Sequence, residues 1–317
     1  MRVFVAGASG AIGRHLVPQL IDRGHEVVGT CLSPDKVHVL RALGAEPLIL
    51  DLLDARAVLE AVHDVKPDAV VHEATALAKG GFSRKLDKTF AETNRLRTQG
   101  TDALIAGARE AGVGRFVAQS FAPYRYAREG GMVKTESDRL DDRPPAGAGQ
   151  TNSSMAYLDQ VVTDFGGIVL RYGGFYGEPE DQLVRMVRKR RFPIIGNGEG
   201  YTSWVHLDDA ASATALALEH EGPALYNVVD DEPAPANEWL PALADALGAK
   251  PPRRMPAWLV RLFAGADAVM GATQSRGASN EKAKRELGWS LLYPSWRQGF
   301  SAVHTATSPV QGAHAGK

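Results

Sequence analysis

A glycine-rich turn between an apolar strand and an amphipathic helix restricts this chain more than any other feature of its sequence. Gly7-Ala8-Ser9-Gly10-Ala11-Ile12-Gly13 follows the apolar run Val3–Ala6 and opens the helical pattern Ile12–Arg23. In such a turn the first glycine permits the tight bend, the second lets a pyrophosphate approach the backbone, and the third lets the helix pack on the strand. Because the free N–H groups of the helix start then bind phosphate, the turn predicts a dinucleotide site.

The first half of the chain continues to alternate strands with helices. Apolar runs predict strands at Glu26–Thr30, Pro47–Leu50, Ala69–His72, Phe116–Gln119 and Ile168–Arg171. Helices are predicted between them, including a long one over Leu86–Ala111 and another over Asn152–Asp164. Because alternating strands and helices build a parallel sheet with right-handed crossovers, the predicted fold class is α/β, a Rossmann-type doubly wound parallel sheet.

The second half interrupts this alternation and predicts a smaller C-terminal α/β lobe. Residues 1–177 are expected to form the dinucleotide-binding domain, and 205–230 to return to it through a helix at Asp208–His220, capped by Asp208, and a strand at Leu225–Val229. Residues 178–204 and 231–305 would form a substrate lobe, and 306–317 a flexible tail. Helices in the lobe are predicted at Asp181–Arg191, Glu238–Leu247, Ala257–Ala266 and Asn280–Leu287. The segment Phe121–Asn152 has no clear period and is predicted to be a loop that lines or covers a site.

Charge, cysteine content and the N-terminus limit the partners and the compartment. The chain has 36 Lys and Arg against 37 Asp and Glu, a formal net charge of −1, so no general field attracts nucleic acid or an anionic membrane. The single cysteine, Cys31, excludes an intrachain disulfide and favours a reducing compartment. Met1-Arg2 leads directly into a strand, without a signal peptide, and no apolar stretch could span a bilayer. The sequence predicts a cytoplasmic protein with a small-molecule substrate, no nucleic-acid or membrane partner and no metal site.

Motifs along nearly the whole chain resemble those of one protein family. The glycine spacing Gly-x-x-Gly-x-x-Gly, rather than Gly-x-Gly-x-x-Gly, is typical of the extended short-chain dehydrogenase/reductase superfamily, of the NAD-dependent epimerase/dehydratase type. Further matches are Asp51-Leu52-Leu53-Asp54, His72-Glu73-Ala74-Thr75, Asn94 with Gly100-Thr101, Leu170-Arg171-Tyr172 with Phe175-Tyr176-Gly177, Val205-His206-Leu207-Asp208-Asp209-Ala210, Tyr226-Asn227-Val228 and Lys284-Arg285-Glu286-Leu287-Gly288-Trp289. The match at Asn94 is shifted by a few residues from the family's Asn-x-x-Gly-Thr.

The turn and the resemblance together indicate which residues hold the cofactor. The turn assigns the pyrophosphate to Gly7, Ser9, Gly10, Ala11, Ile12 and Gly13. At the ends of the second and third strands, the residues predicted to contact the adenosine half of the dinucleotide are Thr30, Ser33, Lys36, Asp51 and Leu52. The resemblance adds residues beside the rest of the cofactor, namely Ala74, Thr75, Ala76, Asn94, Gln119, Tyr172 and Phe175.

The end of the second strand bears on the choice between NAD and NADP. An acid there would accept bonds from the ribose 2′-hydroxyl of NAD, but the strand ends Gly29-Thr30-Cys31-Leu32-Ser33. Asp35 is expected to cap the next helix, and Ser33 and Lys36 are near enough to meet a 2′-phosphate. These residues favour NADP, with NAD remaining possible, although position 31 lacks the arginine of NADP-binding relatives.

The residues that relatives use for proton transfer are missing. Redox members of the family use Tyr-x-x-x-Lys, in which the lysine lowers the pKa of the tyrosine, together with a Ser or Thr after the fifth strand. No tyrosine in this chain has a lysine four residues later. On the matching helix the two positions are occupied by Thr151 and Met155, or by Gly149 and Ser153 in an ungapped register. The serine position best matches Phe121.

Nearby hydroxyl groups are the candidates for a replacement proton donor. Ser120, Tyr124 and Tyr126 follow the fifth strand, although the two tyrosines would serve equally as loop anchors. Arg125 and Arg128 could hold an acidic substrate or form a solvated face. His72 at a strand end, and His206 near the lobe junction, are predicted to be structural.

Three functions are consistent with intact cofactor machinery and altered proton transfer. The leading hypothesis is an NAD(P)(H)-dependent oxidoreductase of atypical extended type, acting on a small carbonyl, alcohol or conjugated substrate. The alternatives are an epimerase, dehydratase or isomerase that retains its cofactor, and a non-catalytic nicotinamide-binding sensor. The resemblance also implies a homodimer that pairs through the helices Leu86–Ala111 and Asn152–Asp164.

Overall fold

The computed structural model describes residues 1–76, 86–122, 125–142, 147–178 and 182–305. Its strands are β1 Arg2–Ala6, β2 Glu26–Cys31, β3 Glu46–Ile49, β4 Ala69–His72, β5 Arg115–Phe121, β6 Val133–Lys134, β7 Ile168–Tyr172, β8 Gly174–Tyr176, β9 Ile194–Ile195, β10 Tyr201–Thr202, β11 Trp204–His206, β12 Ala224–Val228, β13 Ala234–Pro235, β14 Arg254–Met255 and β15 Gly277–Ala278. Its α-helices are α1 Ala11–Asp22, α2 Val37–Ala42, α3 Ala55–Val65, α4 Leu86–Thr89, α5 Ala91–Arg95, α6 Thr101–Glu110, α7 Gly149–Phe165, α8 Gln182–Arg188, α9 Leu207–Ala217, α10 Ala236–Ala246, α11 Ala257–Gln274, α12 Glu281–Leu287 and α13 Trp296–Thr305. A 3-10 turn at Pro34–Lys36 and a π-helix at Leu96–Gly100 complete the helical segments of these residues.

Within the described residues, seven strands form one parallel sheet in the order β12-β7-β5-β4-β1-β2-β3. The chain starts at β1, adds β2 and β3 on one side, and then crosses to β4 on the other. The direction of winding therefore changes between β1 and β4, and ligands of such sheets bind at the carboxyl ends of the strands beside this switch. The predicted α/β class and Rossmann-type parallel sheet are confirmed.

Burial on both faces explains why the central strands are uninterrupted apolar runs. Val3 and Val5 of β1 pack into one apolar cluster with helices α1 and α9, whereas Phe4 packs into a second cluster with α3, α6 and α7. Successive side chains of a strand point to opposite faces, so each strand contributes to both clusters. The two layers of helices hold the strand ends in place.

A third apolar cluster forms the core of the smaller lobe. Its largest members are aromatic, and the rings of Trp204 and Trp239 lie 4.8 Å apart in an edge-to-face contact. Short strand pairs, β8 with β11, β9 with β14 and β10 with β13, surround this cluster. No helix among the described residues combines the length and apolarity needed to cross a membrane.

Two buried carboxylates join the C-terminal segment to the sheet domain. Asp209 on α9 accepts the backbone N–H groups of Leu292 and Tyr293 at 2.6 and 2.9 Å. Asp230, which follows β12, accepts the N–H of Trp296 at 2.8 Å. These bonds fix the start of α13 and place the aromatic cluster next to the carboxyl edge of the sheet.

Several predicted element bounds were wrong. The helix predicted over Leu86–Ala111 agrees with the described helical segments, Leu86 to Glu110, to within one residue, but it is interrupted at Phe90 and contains the π-helix, because apolar spacing does not reveal where backbone bonds change from i−4 to i−5. The helix α7 begins three residues before the predicted Asn152. The helix α11 continues past the predicted Ala266, although the backbone of Gly265 is left-handed with a φ of 84°. The predicted loop Phe121–Asn152 contains β6, which pairs with β15.

The start of α9 is capped by His206 and not, as predicted, by Asp208. His206 Nδ1 accepts the N–H of Asp208 at 3.1 Å, and the Asp208 carboxylate instead lies 2.6 Å from Nδ1 of His15 on α1. A short acidic residue at a helix start is the usual cap. Here the carboxylate of Asp208 contacts His15 on α1 instead. Because His15 is distant in the sequence, no local sequence pattern could predict this contact.

Candidate active site and dinucleotide site

The glycine turn lies against the segment that follows β4. Gly7 has a φ of +85°, and a Cβ there would lie 2.7 Å from the backbone of Ala74. A Cβ at Gly13 would lie 2.4 Å from the carbonyl oxygen of Ala8. The N–H of Gly7 donates to the hydroxyl of Thr30 at 3.0 Å. Glycine is thus required at two positions of this turn, where backbone segments approach too closely for any side chain.

The first turn of α1 is suited to an anion. Its N-cap residue Gly10 supplies no side-chain cap, and no acidic residue lies in the first turn. Gly10 and Ala11 are exposed, whereas Ile12 and Gly13 are buried against the sheet. Backbone N–H groups at such a helix start, together with the positive end of the helix dipole, bind phosphate. These residues therefore fit the pyrophosphate of a dinucleotide.

The residues assigned to the adenosine half lie at the ends of β2 and β3. The hydroxyl of Ser33 donates to the carboxylate of Asp35, and Lys36 is exposed beside them. The prediction that Asp35 caps a helix was wrong, because Ser33 is the N-cap of the 3-10 turn and Lys36 that of α2. Asp51 accepts the N–H of Leu53 at 2.9 Å, and Leu52 is buried.

The residues assigned to the rest of the cofactor follow the next strands. Ala74, Thr75 and Ala76 come after β4 and are half-buried, and the N–H of Ala76 donates to the hydroxyl of Thr93 at 3.0 Å. Phe175 on β8 lines a pocket of about 320 Å³ that reaches the glycine turn at Ala11. The other lining residues are Tyr176, Glu178, Gln182, Leu183 and Leu207. This pocket joins the turn to the smaller lobe.

The positions of the missing tyrosine and lysine are structurally occupied. The hydroxyl of Thr151 donates to Asp87 at 2.8 Å and accepts from the amide of Asn94 at 3.1 Å. The hydroxyl of Ser154 donates to the Asn94 side-chain oxygen at 3.0 Å, and Met155 is buried. Helix α7 therefore brings no phenol or ammonium group to this edge of the sheet.

Two of the predicted catalytic hydroxyls are buried and already bonded. Ser120 is 1% exposed and accepts from the guanidinium of Arg125 at 3.2 Å. Tyr126 donates its O–H to Asn227 at 2.6 Å, and burial raises its pKa. Tyr124 lies outside the described residues. The raised pKa of Tyr126 is the opposite of what an activated proton carrier would show.

Arg125 and Arg128 both form ion pairs within the protein. Arg125 is buried and contacts the carboxylate of Asp159 at 2.9 Å. Arg128 contacts Asp141 at 2.7 Å. The interpretation as a solvated face is therefore wrong for Arg125, whose side chain is 3% exposed.

His72 and Glu73 place two neutral titratable groups at the end of β4. His72 is buried with Nε2 3.3 Å from the carbonyl oxygen of Leu96, and burial lowers its pKa to about 4. Burial likewise raises the pKa of Glu73 to about 8, so the acid is protonated at neutral pH. Glu73 was not predicted as a site residue, although an acid at the end of an apolar strand is a signal for a group with a shifted pKa.

A buried hydrogen-bond network surrounds Glu73. The hydroxyl of Tyr172 donates to Glu73 Oε1 at 3.0 Å and lies 2.6 Å from the hydroxyl of Thr214. The Gln119 amide, in the orientation that satisfies both its ends, donates to Glu73 Oε2 at 3.2 Å. Gln119 and Tyr172, both predicted to contact the cofactor, thus donate hydrogen bonds to the side chain of Glu73, which follows β4. Tyr172 is fully buried.

Comparison with known proteins assigns the family. The model of the NAD dependent epimerase/dehydratase family matches residues 3–228. The chain belongs to this family. Its structure resembles that of UDP-glucose 4-epimerase from Thermotoga maritima with a TM-score of 0.76 and 21% identity, covering 96% of this chain and 98% of that one.

Two curated relatives are named as reductases. The chain is 42% identical over 310 residues to a 3-diazoavenalumate denitrifying reductase of a Streptomyces species, covering 95% of this chain and 99% of that protein. It is 27% identical over 349 residues to a 4-hydroxy-2-methyl-3-oxo-4-farnesyl-3,4-dihydroquinoline-1-oxide ketoreductase of Stigmatella aurantiaca, covering 99% and 98%. The protein is an NAD(P)-dependent oxidoreductase of the extended short-chain type.

Replacing Gly10 by valine should abolish nucleotide binding and leave the fold intact. A Cβ at the exposed Gly10 would lie 3.1 Å from the carbonyl oxygen of Gly7, and the rest of the valine side chain would occupy the space expected for the phosphate. A Cβ at Gly13 would lie only 2.4 Å from the carbonyl oxygen of Ala8 and would destabilise the protein. Calorimetric titration with NADPH measures the first effect, and thermal unfolding the second. Gly114→Val is the matched control, since a Cβ there meets nothing within 4 Å. Unchanged affinity in Gly10→Val would remove the turn from the site.

Replacing Glu73 by glutamine should change how stability depends on pH. The folded state holds a proton on Glu73 up to a pKa of about 8, above the ordinary value near 4.5. The unfolded chain releases it earlier, so the native protein loses stability as pH rises between these values. The Glu73→Gln variant has no such proton to release, so its stability should not fall in this range. At high pH its free energy of unfolding should exceed that of the native protein by on the order of a few kcal/mol. Urea unfolding at a series of pH values across this range measures the effect, and Glu110→Gln, at an exposed position, is the control. If the free energies of unfolding of the native protein and of Glu73→Gln depend on pH in the same way, the prediction is wrong.

Proposed function

We propose that this protein is an NADPH-dependent reductase of a diazonium compound, which it converts to the corresponding C–H compound with release of dinitrogen. The observation that carries this proposal is the replacement of the tyrosine and lysine positions by Thr151 and Met155. With those groups absent, a reaction that needs no proton from the protein is the best match to the site.

The chemistry balances without an acid. The glycine turn Gly7–Gly13 would hold a dinucleotide whose reduced nicotinamide would supply a hydride. With a diazonium cation as the acceptor, a C–H bond would form at the carbon while the C–N bond breaks and its electron pair leaves with dinitrogen. The protein then has to orient the substrate and exclude water. By contrast, carbonyl reduction requires a proton at oxygen, and the described hydroxyls of Ser120 and Tyr126 are buried and bonded elsewhere.

The relative named as a denitrifying reductase supports the same reaction class. It matches this chain over nearly the full length of both proteins, and the word diazo in its name describes its substrate. The ketoreductase relative supports carbonyl reduction instead, at lower identity. The diazo reaction is favoured because it also accounts for the altered residues on α7.

The preference for NADP is proposed from the end of β2. No acid occupies the last position of β2, Cys31, and the exposed Lys36 lies three residues beyond Ser33, the other predicted contact of a 2′-phosphate. Asp35, which accepts from Ser33, is the feature that opposes this assignment. The resulting cofactor site comprises the glycine turn, the ends of β2 and β3, and the segment after β4.

A homodimer in the cytoplasm is the proposed assembly and location. Tyr157 on α7 is 40% exposed and bonds to Asp102 on α6, so these two helices present an aromatic group on their outer face. Cys31 is buried, in keeping with a reducing compartment. Light scattering distinguishes a dimer from a 34.0 kDa monomer.

Incubation with a benzenediazonium carboxylate tests the reaction. We expect NADPH oxidation in step with dinitrogen release, and cofactor carrying deuterium at nicotinamide C4 should place deuterium on the ring carbon that bore nitrogen. Mass spectrometry of the product measures this. Gly10→Val is the control for reduction by free cofactor. Reduction of a β-keto ester at a higher rate, with the diazonium consumed no faster than in the control, would identify a carbonyl reductase instead.

Replacing Lys36 by alanine should reduce the ratio of the affinity for NADPH to the affinity for NADH. A charge-assisted bond to a 2′-phosphate contributes about 1.5–3 kcal/mol, so NADPH binding should weaken roughly ten- to hundredfold while NADH binding stays the same. Titration of both cofactors measures the ratio. Lys250→Ala, which removes an exposed lysine from the smaller lobe, controls for net charge. Tighter binding of NADH by the native protein would refute the preference.

A further inference from the structure

Three arginines converge around a single carboxylate beneath the carboxyl ends of β5 and β7. We call Arg97, Arg125 and Arg171 the arginine cluster. Arg97 lies on the π-helix, Arg125 in the segment after β5, and Arg171 on β7. Their exposed fractions are 6%, 3% and 5%, and the carboxylate of Asp159 on α7 is also buried.

Asp159 neutralises only part of this cluster. Its Oδ2 accepts from Arg125 at 2.9 Å and from Arg171 at 2.7 and 3.0 Å. Arg125 also donates to the hydroxyl of Ser120 at 3.2 Å, which connects the cluster to the end of β5. Arg97 makes no side-chain hydrogen bond or ion pair with any residue that the structure describes. Burial lowers its pKa to about 10, so it remains charged at neutral pH.

The buried charges do not balance. The cluster carries three positive charges against one negative charge. His72, whose pKa Arg97 helps to lower, is neutral and supplies no anion. Of the residues that the structure does not describe, 77–85, 123–124, 143–146 and 306–317 contain no Asp or Glu, whereas 179–181 contain Glu180 and Asp181. An unpaired buried guanidinium is costly unless a ligand supplies the missing anion.

The backbone that carries Arg97 is itself unusual. Leu96–Gly100 is a π-helical turn, a conformation that is rare and concentrated at functional sites. Two residues lie between Arg97 and Gly100, so Arg97 occupies the position of the asparagine in Asn-x-x-Gly-Thr. Asn94, three residues before Arg97, bonds to Thr151 and Ser154, whereas Arg97 lies in the buried cluster.

We propose that the arginine cluster is an anion site, in which Arg97 binds the carboxylate of the substrate. A planar guanidinium without a protein partner matches a carboxylate through two parallel hydrogen bonds. Arg125 and Arg171, held by Asp159, keep the surrounding potential positive. The identity of the anion as a substrate group rests on the proposed function, but the existence of an anion site does not.

Binding of benzoate, with uncharged benzamide as comparison, tests the site directly. In the presence of NADP, benzoate should raise the melting temperature of the native protein and benzamide should not. Arg97→Met should weaken benzoate binding roughly ten- to hundredfold. Without benzoate this variant should melt no lower than the native protein, because it removes an unpaired buried charge. Arg41→Met, at an exposed position of α2, is the control.

A structural role for Arg97 gives the opposite results. If Arg97 only faces the unbonded Oδ1 of Asp159, Arg97→Met will melt lower and benzoate will bind both proteins equally or neither, which overturns the proposal. Should Arg97→Met not fold, Arg97→Lys is measured; weaker benzoate binding supports the site, and unchanged binding overturns it. Benzoate binding that depends on Arg97 without diazonium reduction would refute the proposed function and leave the anion site standing.

Discussion

The close contact between the glycine turn and the end of β4 is the constraint on which the rest of the site depends. Gly7 lies against the Glu73–Ala74 backbone, and Gly13 lies against Ala8, at distances that exclude a side chain. These contacts fix the start of α1 at the switch between β1 and β4, where its N–H groups face the crevice. The pocket beside Ala11, and with it the position of the smaller lobe, follows from this arrangement.

Burial then determines which groups near the strand ends carry charge. On one face of the sheet, Glu73 lies in a network with Tyr172 and Gln119 and is neutral at neutral pH. On the other face, arginines outnumber the single carboxylate of Asp159. A protein interior tolerates a neutral acid at little cost, but an excess of positive charge requires a compensating anion. The two faces of the same strand ends are therefore electrostatically different.

The absence of a proton-transfer pair agrees with this electrostatic pattern. Thr151 and Met155, or Gly149 and Ser153 in the ungapped register, stand at the positions of the phenol and the ammonium group, and the hydroxyl of Thr151 is bonded to Asp87. What remains is a cofactor crevice, buried hydroxyls and a positive site. Such an environment suits orientation of an anionic substrate for hydride transfer better than acid catalysis.

The sequence by itself determined the parallel α/β sheet, the glycine turn and the loss of the tyrosine and lysine, because each depends on residues adjacent in the chain. Only the tertiary structure decided what depends on distant partners. Asp159, which is 34 residues from Arg125, converts a predicted loop arginine into a buried ion pair. His15 takes the carboxylate of Asp208, so that His206 caps α9. The neutrality of Glu73 and the unpaired charge of Arg97 likewise follow from burial, which sequence periodicity indicates for apolar residues and not for charged ones.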